Sequence, residues 1–311
     1  MISKEHRGSL YAILSGFLYG FLGYFGVSVI QSSISVTNML FWRFFISSLV
    51  IGILVIVTMR RNQDSFKEML VAFGNGAIFY GLSTMLYFFA CPYIGSGLAM
   101  VIFFTYPAMV IVLNYFLFGQ KIPTIYYYAL TIIIAGMSLF IDTSEMRFDL
   151  LGIVFSILSA FLYAAYIVSS KNISTLSPNV STLMVCLGCM VTCLFLSLVN
   201  HSFVVPTTLT VWFNLLGISI VSTTIPILLL LYSLNYISSE RASILSVLEP
   251  VFVLIFGVTL LGEPMKIQYA FGVIIVLSGA LLTLFSQRIN MDVFMKRYIK
   301  TKGIKSEEDL A

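Results

Sequence analysis

Charged side chains are scarce in this sequence, and their scarcity excludes a soluble globular protein. Only 10% of the 311 residues are charged, whereas 59% are hydrophobic. A soluble domain carries roughly a quarter charged residues, because its surface must be hydrated. Too few charges remain here to cover a globule of this size. Most of the surface must therefore face lipid.

The residues that an enzyme or an ATP-driven pump would need are also missing. The two histidines, His6 and His201, fall outside the predicted membrane spans, and no aspartate lies inside one. Without a Gly-x-Ser-x-Gly motif, the sequence offers no nucleophile paired with a base. No Gly-Lys dipeptide occurs, so there is no phosphate-binding P-loop. We therefore predict that the protein is not an enzyme and uses no cofactor.

About ten apolar runs make up nearly the whole chain. A helix needs about 20 apolar residues to cross the hydrocarbon core, and unpaired backbone groups exclude strands from lipid. The predicted spans are residues 9–30, 37–58, 71–91, 95–118, 124–141, 150–169, 180–199, 211–235, 238–261 and 267–285. The first run is too long for the core of a signal peptide. The internal prolines Pro107, Pro226 and Pro250 predict kinks or breaks in their spans.

The cations of the loops predict an orientation. If the N-terminus is cytoplasmic, the outer side holds only Arg147, Lys266 and, at the lip of a span, Arg43. The cytoplasmic segments then hold the remaining cations: Lys4, Arg7, Arg60, Arg61, Lys67, Lys121, Lys171, Arg241, Arg288, Lys296, Arg297, Lys300, Lys302 and Lys305. Such a bias follows the positive-inside rule. We predict a multi-pass protein of the cell (inner) membrane, with both termini cytoplasmic and a charged tail over residues 288–311.

Self-comparison reveals an internal repeat. The sequence LSGFLY at residues 14–19 recurs as LSAFLY at residues 158–163. Further matches in register are Tyr93 with Tyr236, Pro107 with Pro250, Gly119 with Gly262, Tyr126 with Tyr269, and Gly136 with Gly279. The repeats are predicted to be residues 1–145 and 146–287. Because each contains an odd number of spans, five, the second repeat is inverted in the membrane. Inverted repeats provide two near-equivalent packings, which is the physical basis of alternating access.

Two sequence stretches carry a resemblance to a known family. The first is FWRF at residues 41–44, and the second is RASILSVLEPV at residues 241–251, which continues to LGE at residues 261–263. These resemble the drug/metabolite transporter superfamily, in particular its ten-span EamA-type members, over the chain to about Ser286. The resemblance implies an all-α fold with ten transmembrane helices as two inverted five-helix EamA-like repeats around a central cavity. It also implies transport of amino acids and other small metabolites, often outward.

Only two charged side chains lie well inside predicted spans, and both are candidate functional residues. A charge at membrane depth is costly unless it is paired or hydrated. Glu249 precedes Pro250, and it either binds a cationic or amino group or exchanges a proton; the alternative is that it caps backbone donors near the kink. Arg43 either attracts a carboxylate or has a structural role, snorkelling to the outer interface or pairing with a carbonyl. We favour the structural role. Together with Glu249 and Arg43, Pro107 and Pro250 are the predicted coupling or gating residues.

Further substrate-binding side chains are expected among the tyrosines. Tyr19 and Tyr163 are repeat mates, so symmetry places them at matching depths. Tyr87, Tyr106 and Tyr232 lie on spans that the family resemblance puts around the cavity. An aromatic ring with a hydroxyl group suits semi-polar organic solutes and can hold an ammonium group by a cation–π interaction. The alternative is a position at the membrane interface, where tyrosine is common.

Three of the four cysteines fall on one face of a predicted helix. Cys186, Cys189 and Cys193 lie in one span, but no histidine or carboxylate in that span completes a metal-binding set. We interpret the cysteines as small packed side chains and expect no metal.

The predicted function is a secondary transporter, driven by a gradient or by exchange, that moves amino acids or related small organic metabolites by alternating access. The alternative is a carrier of nucleotide sugars or phosphorylated metabolites, whose charges favour several buried cations. A channel is a further alternative. The expected partners are the small-molecule substrate and the lipid bilayer. Protons and a second copy of the chain, in a homodimer, are left open, and nucleic acid is not expected.

Overall fold

The computed structural model describes residues 4–32, 34–58, 65–120, 122–142, 148–173, 176–262 and 264–285, and over these ranges it is helical without strands. The ten helices are α1 in two segments (Lys4–Tyr19 and Leu22–Gln31), α2 (Val36–Thr58), α3 (Phe66–Ile94), α4 (Ser96–Phe118), α5 (Thr124–Ser138), α6 (Leu150–Lys171), α7 (Pro178–Val199), α8 (Leu209–Leu234), α9 (Ser239–Leu260) and α10 (Ile267–Leu284). In the described ranges, nine helices are long and apolar enough to cross a membrane, and α5 is a shorter apolar helix. The predicted all-α fold with ten membrane helices is confirmed.

Some predicted features lie outside the described residues. These are the tail at residues 288–311 and the side chains of Arg60, Arg61, Lys121, Arg147 and Glu263. Within the described ranges the helix ends shift by several residues. For example, α1 begins at Lys4, so His6 lies inside a helix rather than before it.

The contacts between helices follow the inverted repeat. α2 packs along its repeat mate α7, and α5 packs along its mate α10. The contact of α3 with α6 is reproduced by that of α8 with α1. The first two contacts join a helix to its own repeat mate. In the third, each helix is replaced by its mate in the fourth. The two halves are therefore related by a pseudo-two-fold axis. This arrangement confirms the predicted inverted repeat.

Proline determines matching breaks in the two halves. α4 is divided into Ser96–Phe103 and Tyr106–Phe118, and α9 is divided into Ser239–Ser246 and Glu249–Leu260. In each case proline is the second residue of the second segment. It lacks the N–H group that would bond to the preceding turn, and its ring clashes with that turn. The kinks predicted at Pro107 and Pro250 are therefore present.

Two further helices contain a π-helical turn at matching places. The turn in α3 spans Asn75–Gly81 and the turn in α8 spans Ile220–Thr224, directly before Pro226. A π turn inserts an extra residue and leaves carbonyl groups displaced from their usual donors, which is why such turns are frequent at functional sites. α1 is also interrupted, at Gly20 and Phe21, without a proline. The sequence did not predict that break, and its mate α6 is continuous.

Glycine brings α1 against the break in α9. A Cβ atom at Gly16 would lie 3.3 Å from the Glu249 nitrogen and 3.3 Å from the Ser246 carbonyl oxygen. A Cβ atom at Gly20 would lie 2.6 Å from the Cβ atom of Phe252. These small residues allow the two backbones to approach closely, as is typical of membrane helices. The contact fixes the position of Glu249 relative to α1.

Candidate functional site

A cavity of about 420 Å³ lies between the two repeats. Its walls include the later part of α1 and the early part of α2, which lie toward the end of the bundle away from Lys4, and also parts of α3, α4, α6, α8 and α9. The wall is largely aromatic and apolar, and it includes Leu22, Met39, Phe88, Met100, Phe103, Phe104, Ile218 and Val253. A concave apolar site with a few polar groups is the usual form of a small-molecule binding site.

Four of the six predicted substrate-binding residues line this cavity: Tyr19, Tyr87, Tyr163 and Glu249. Tyr106 lies one layer below, 1% exposed, with its ring 4.7 Å from the ring of Tyr163 in an edge-to-face contact. Its hydroxyl donates to the Ser243 carbonyl oxygen, 3.2 Å away. Tyr106 therefore supports the floor of the cavity in this conformation instead of forming its wall.

Tyr232 does not line the cavity in this conformation. Tyr232 lies near the end of α8, where its hydroxyl is 3.2 Å from Asn179 Oδ1 and its ring is 6.0 Å from that of Tyr11. The π turn and Pro226 separate this part of α8 from the part that reaches the cavity. α8 does reach the cavity, through Ile218, but Tyr232 lies at the other end of this helix.

Glu249 lies at the break in α9, as the first residue of the second segment. Its side chain lines the cavity. Within the described ranges, no hydrogen-bond donor or cation contacts its carboxylate. The alternative in which Glu249 caps backbone donors near the kink is therefore not seen. The carboxylate faces the cavity and can accept hydrogen bonds from a bound solute.

Arg43 is buried at the cavity wall, with 2% of its surface exposed. Its Nε–H group donates to Thr223 Oγ1, and Nη2 donates to the Ser222 carbonyl oxygen, 3.2 Å away. The guanidinium carbon also lies 5.2 Å from the centre of the Phe44 ring. Arg43 does pair with a carbonyl, as the structural interpretation proposed. It does not snorkel to the outer surface, because α8 holds it inside the bundle.

The protein uses only one edge of the Arg43 guanidinium. The side edge, formed by Nε and Nη2, bonds to α8. Nη1 has no hydrogen-bond partner among the described residues, nor is it one of the enclosed unpaired atoms. The end edge of a guanidinium group presents two parallel N–H donors that match a carboxylate. Arg43 can therefore be held by α8 and bind an anionic group at the same time.

The sequence did not reveal the layer of tyrosines at the cavity floor. Tyr80 lines the cavity, and its hydroxyl oxygen lies 3.1 Å from that of Tyr19. Its ring stacks on that of Tyr166 at 5.0 Å. Tyr80 belongs to the π turn of α3, so its direction depends on an irregular turn. The sequence contains 17 tyrosines, and no local pattern distinguishes Tyr80 and Tyr166 from the others.

The other end of the bundle is closed by polar contacts of buried and half-buried charged groups. Arg241, which was counted among the cytoplasmic cations, and its neighbour Glu240 are 7% and 2% exposed within α9. Glu240 accepts a hydrogen bond from Asn114. Arg241 lies 3.9 Å from Glu5, and Lys171 donates to the carbonyl oxygens of two α8–α9 residues. More charged groups are buried than the two that the sequence predicted.

The clustered cysteines lie in the packed interface of α7 with α3. Cys186, Cys189 and Cys193 are all fully buried free thiols. Cys189 Sγ donates to the Gly76 carbonyl oxygen at 3.2 Å. Over the described ranges, no three His, Cys, Asp or Glu side chains cluster closely enough to hold a metal ion.

Comparison with known proteins agrees with this architecture. The sequence matches the EamA-like transporter family twice, over residues 6–141 and 150–285. The chain belongs to the EamA-like transporter family. Within this family of membrane transporters, the first match covers α1–α5 and the second covers α6–α10. The EamA-like transporter is thus a multi-pass membrane protein built from two copies of one module, and the cavity lies between them.

Individual relatives of this EamA-like transporter share about a quarter of its residues over the aligned regions. An uncharacterized transporter of Archaeoglobus fulgidus is 26% identical over 207 residues, which cover 66% of this chain and 73% of the relative. An uncharacterized transporter of Bacillus subtilis is 24% identical over 192 residues, which cover 60% of this chain and 61% of the relative. A solved structure, described only as the crystal structure of a protein, has a TM-score of 0.79 at 15% identity and covers 91% of this chain and 98% of that one. At that identity, the likeness shows the fold alone.

Proposed function

We propose that this EamA-like transporter carries zwitterionic amino acids with large apolar side chains by alternating access. One observation supports the proposal above the others. Arg43 and Glu249 line the same cavity, and among the described residues neither Nη1 of Arg43 nor the Glu249 carboxylate has a hydrogen-bond partner. An amino acid carries one carboxylate and one ammonium group, which these two side chains can bind.

The cavity wall favours an apolar side chain on that amino acid. Tyr87, Phe88 and Phe103 line the same cavity as the two charged groups. Rings of this kind bury apolar surface and also interact with an ammonium group through their faces. A small polar amino acid would leave much of this wall without contacts. A solute of the size of phenylalanine is the better fit.

The rival carriers of nucleotide sugars and phosphorylated metabolites receive less support. Their substrates bring two or more negative charges, which need several cations or donors to replace water. Among the described residues, Arg43 is the only Lys or Arg side chain that lines the cavity, and Glu249 would repel a phosphate. The balance of one cation and one anion favours a substrate without net charge.

The positive-inside bias supports an orientation in which Lys4 lies on the cytoplasmic side. The cavity is at the opposite end of the bundle, so the described conformation is then open to the outside. Transport requires a second packing, in which the end near Asn114 opens and the cavity end closes. The energy would come from a gradient or from exchange of solutes.

Counterflow in proteoliposomes tests the substrate class. The probes are L-phenylalanine, phenethylamine, which lacks the carboxylate, and 3-phenylpropionate, which lacks the amine. We expect saturable counterflow of phenylalanine, with loss of carboxylate preference in Arg43→Gln and of amine preference in Glu249→Gln. Equal competition by all three probes in the unmodified protein would contradict the proposal. Conductance without saturation would instead indicate a channel.

A proton-coupled role of Glu249 has its own test. Glu249→Gln removes an exchangeable proton but keeps the size of the side chain and part of its hydrogen-bonding capacity. If Glu249 couples transport to protons, the variant should retain exchange of phenylalanine but lose uptake driven by a pH gradient. If uptake keeps its rate and its dependence on pH, the coupling role is excluded.

A further inference from the structure

The π turn of α8 surrounds the side edge of the Arg43 guanidinium. Thr223 and Ser222 contribute its two acceptors, one a hydroxyl oxygen and the other a carbonyl oxygen. Both residues are fully buried, and neither lines the cavity. Arg43 therefore lies between the cavity and the π turn. The two acceptors contact the guanidinium from behind.

The Thr223 hydroxyl group has a fixed direction. It donates to the Ile218 carbonyl oxygen at 2.7 Å, so its single proton is used within α8. A hydroxyl group that donates its proton keeps lone pairs for acceptance. The lone pairs of Thr223 Oγ1 are thus available to the Arg43 Nε–H group, which donates to them. If the Thr223 O–H group pointed toward Arg43 instead, its proton would face the Nε–H proton, and both groups would be donors.

Proline explains why the Ser222 carbonyl oxygen can accept from Arg43. In a regular helix this oxygen would accept from the backbone N–H group four residues later, which belongs to position 226. Pro226 has no N–H group. The carbonyl therefore lacks that donor, and Nη2 of Arg43 supplies one. A buried carbonyl without a donor would be costly. The sequence of α8 creates an acceptor at the place where Arg43 reaches it.

The contact belongs to one repeat only. In the other half, α7 meets the π turn of α3 through Cys189 Sγ, 3.2 Å from the Gly76 carbonyl oxygen, and Thr192 Oγ1, 2.7 Å from the Ala77 carbonyl oxygen. Both helix pairs thus satisfy π-turn carbonyls with side-chain donors. Only α2 does so with a cation that also faces the cavity. Packing of a π turn does not require arginine.

We infer that Thr223 is a positioning residue for substrate recognition. It fixes the side edge of Arg43 so that the end edge presents two parallel donors to the carboxylate of the substrate. This inference rests on the proposed amino-acid function. Without Thr223, the guanidinium rotates and binds a carboxylate less well, while amine binding at Glu249 is unaffected.

Three variants separate positioning from packing. Thr223→Val keeps the branched shape but removes the acceptor, and Thr223→Ser restores a hydroxyl group. Thr224→Val is the matched control, because the Thr224 hydroxyl donates to the Ser219 carbonyl oxygen at 2.8 Å in the same turn and does not contact Arg43. All three are first compared by thermal unfolding.

The first measurement does not depend on the substrate. In protein labelled with ¹⁵N-arginine, the Nε–H signal of Arg43 is identified by its loss in Arg43→Lys. We expect this proton to exchange slowly with water in the unmodified protein, in Thr223→Ser and in Thr224→Val. Its exchange should become at least tenfold faster in Thr223→Val. Unchanged exchange in Thr223→Val would overturn the inference, whatever the protein transports.

The second measurement connects the contact to recognition. Loss of a hydrogen bond to a charged group corresponds to about a tenfold change in affinity. In Thr223→Val we expect KM for L-phenylalanine to rise about tenfold, with an unchanged maximal rate and unchanged KM for phenethylamine. Thr223→Ser should restore KM. An equal rise for both probes, or the same rise in Thr224→Val, would overturn the inference.

Failure of the proposed function gives a different pattern. In that case Arg43→Gln leaves the relative affinities for phenylalanine and phenethylamine unchanged. A role of Thr223 in carboxylate recognition is then excluded as well, even where proton exchange shows that Thr223 holds Arg43. If Arg43→Gln changes these affinities and Thr223→Val does not, only the positioning role is excluded.

Discussion

The amide nitrogen of Asn114 donates a hydrogen bond to the carboxylate of Glu240, and this contact joins α4 of the first repeat to α9 of the second. The same nitrogen lies 2.9 Å from Ser239 Oγ. Asn114 and Glu240 are each 2% exposed. The contact lies at the closed end of the bundle, opposite the cavity. It stabilises the packing in which the cavity end is open.

Removal of the Asn114 amide should weaken that closure. Asn114→Leu leaves the buried Glu240 carboxylate without this donor, at a cost of about 1–3 kcal/mol. We expect a lower midpoint of thermal unfolding, together with faster thiol labelling of a cysteine introduced at Ser243, which is fully buried in the same region. A double variant with Glu240→Met should recover part of the stability, because the buried carboxylate without its donor is then absent. An unchanged midpoint in the single variant would contradict this role for the contact.

One native cysteine should report the side on which the cavity opens. Cys91 lines the cavity, whereas Cys186, Cys189 and Cys193 are fully buried. A membrane-impermeant methanethiosulfonate reagent, applied from the side opposite the N-terminus, should modify Cys91 alone and inhibit transport. Cys91→Ser should abolish both effects, and excess L-phenylalanine should slow them. Labelling of Cys91 only from the side of the termini would exclude an outward-open cavity.

The close approach of α1 and α9 should not tolerate a larger residue at Gly20. A Cβ atom there would lie 2.6 Å from the Cβ atom of Phe252 and 3.1 Å from its carbonyl carbon, so the backbones would have to separate. We expect Gly20→Ala to lower the free energy of unfolding by about 1–3 kcal/mol, as overpacking typically does. Gly74→Ala is the control, because nothing lies within 4 Å of a Cβ atom at that helical position. That variant should be neutral or more stable by about 0.5–1 kcal/mol.

The ion pair between Lys266 and Asp142 links the start of α10 to the end of α5. The Asp142 carboxylate accepts a hydrogen bond from Lys266 and raises the pKa of its ammonium group above the ordinary range. Lys266 therefore keeps its proton to higher pH, and the ion pair is lost only as the pH rises through this raised pKa. In Asp142→Asn the amine should lose its proton at lower pH. Acetylation of Lys266 at pH 9, followed by mass spectrometry, should be several-fold faster in the variant.

Exposed Lys67, at the other end of the bundle, provides the internal reference for that experiment. Its acetylation in detergent-solubilised protein should be the same with and without Asp142→Asn. Equal rates at Lys266 in the two proteins would show that the carboxylate does not control the protonation of this amine.

Much of the fold follows from local chemistry. Apolar runs of about 20 residues predicted the helices, because length and hydropathy alone decide whether a segment can cross a bilayer. Pro107 and Pro250 predicted the matching breaks, because proline lacks the N–H group that bonds to the preceding turn and its ring clashes with that turn. The break at Gly20 was not predicted, since glycine only weakens a helix and its effect depends on the neighbouring chain.

The candidate site was predicted only in part. Glu249 could be selected from sequence because a carboxylate next to proline inside an apolar run is unusual. Glu240 could not, because it lies near a predicted span end and its partner Asn114 belongs to the other repeat. Tyr232 was predicted to line the cavity because its helix does. Whether a residue on that helix reaches the cavity depends on its position along the helix and on how the helices pack.

The sequence by itself determined the membrane class, the ten helices, the duplication and its inversion, because composition, periodicity and an odd number of spans are properties of the chain. Only the tertiary structure decided what Arg43 does. Its two partners on α8 are distant in sequence, and one of them, the Ser222 carbonyl oxygen, has no backbone donor at position 226 because Pro226 lacks an N–H group. Contacts between distant helices depend on packing geometry that no local pattern encodes. That geometry brings the guanidinium of Arg43 and the carboxylate of Glu249 to one cavity.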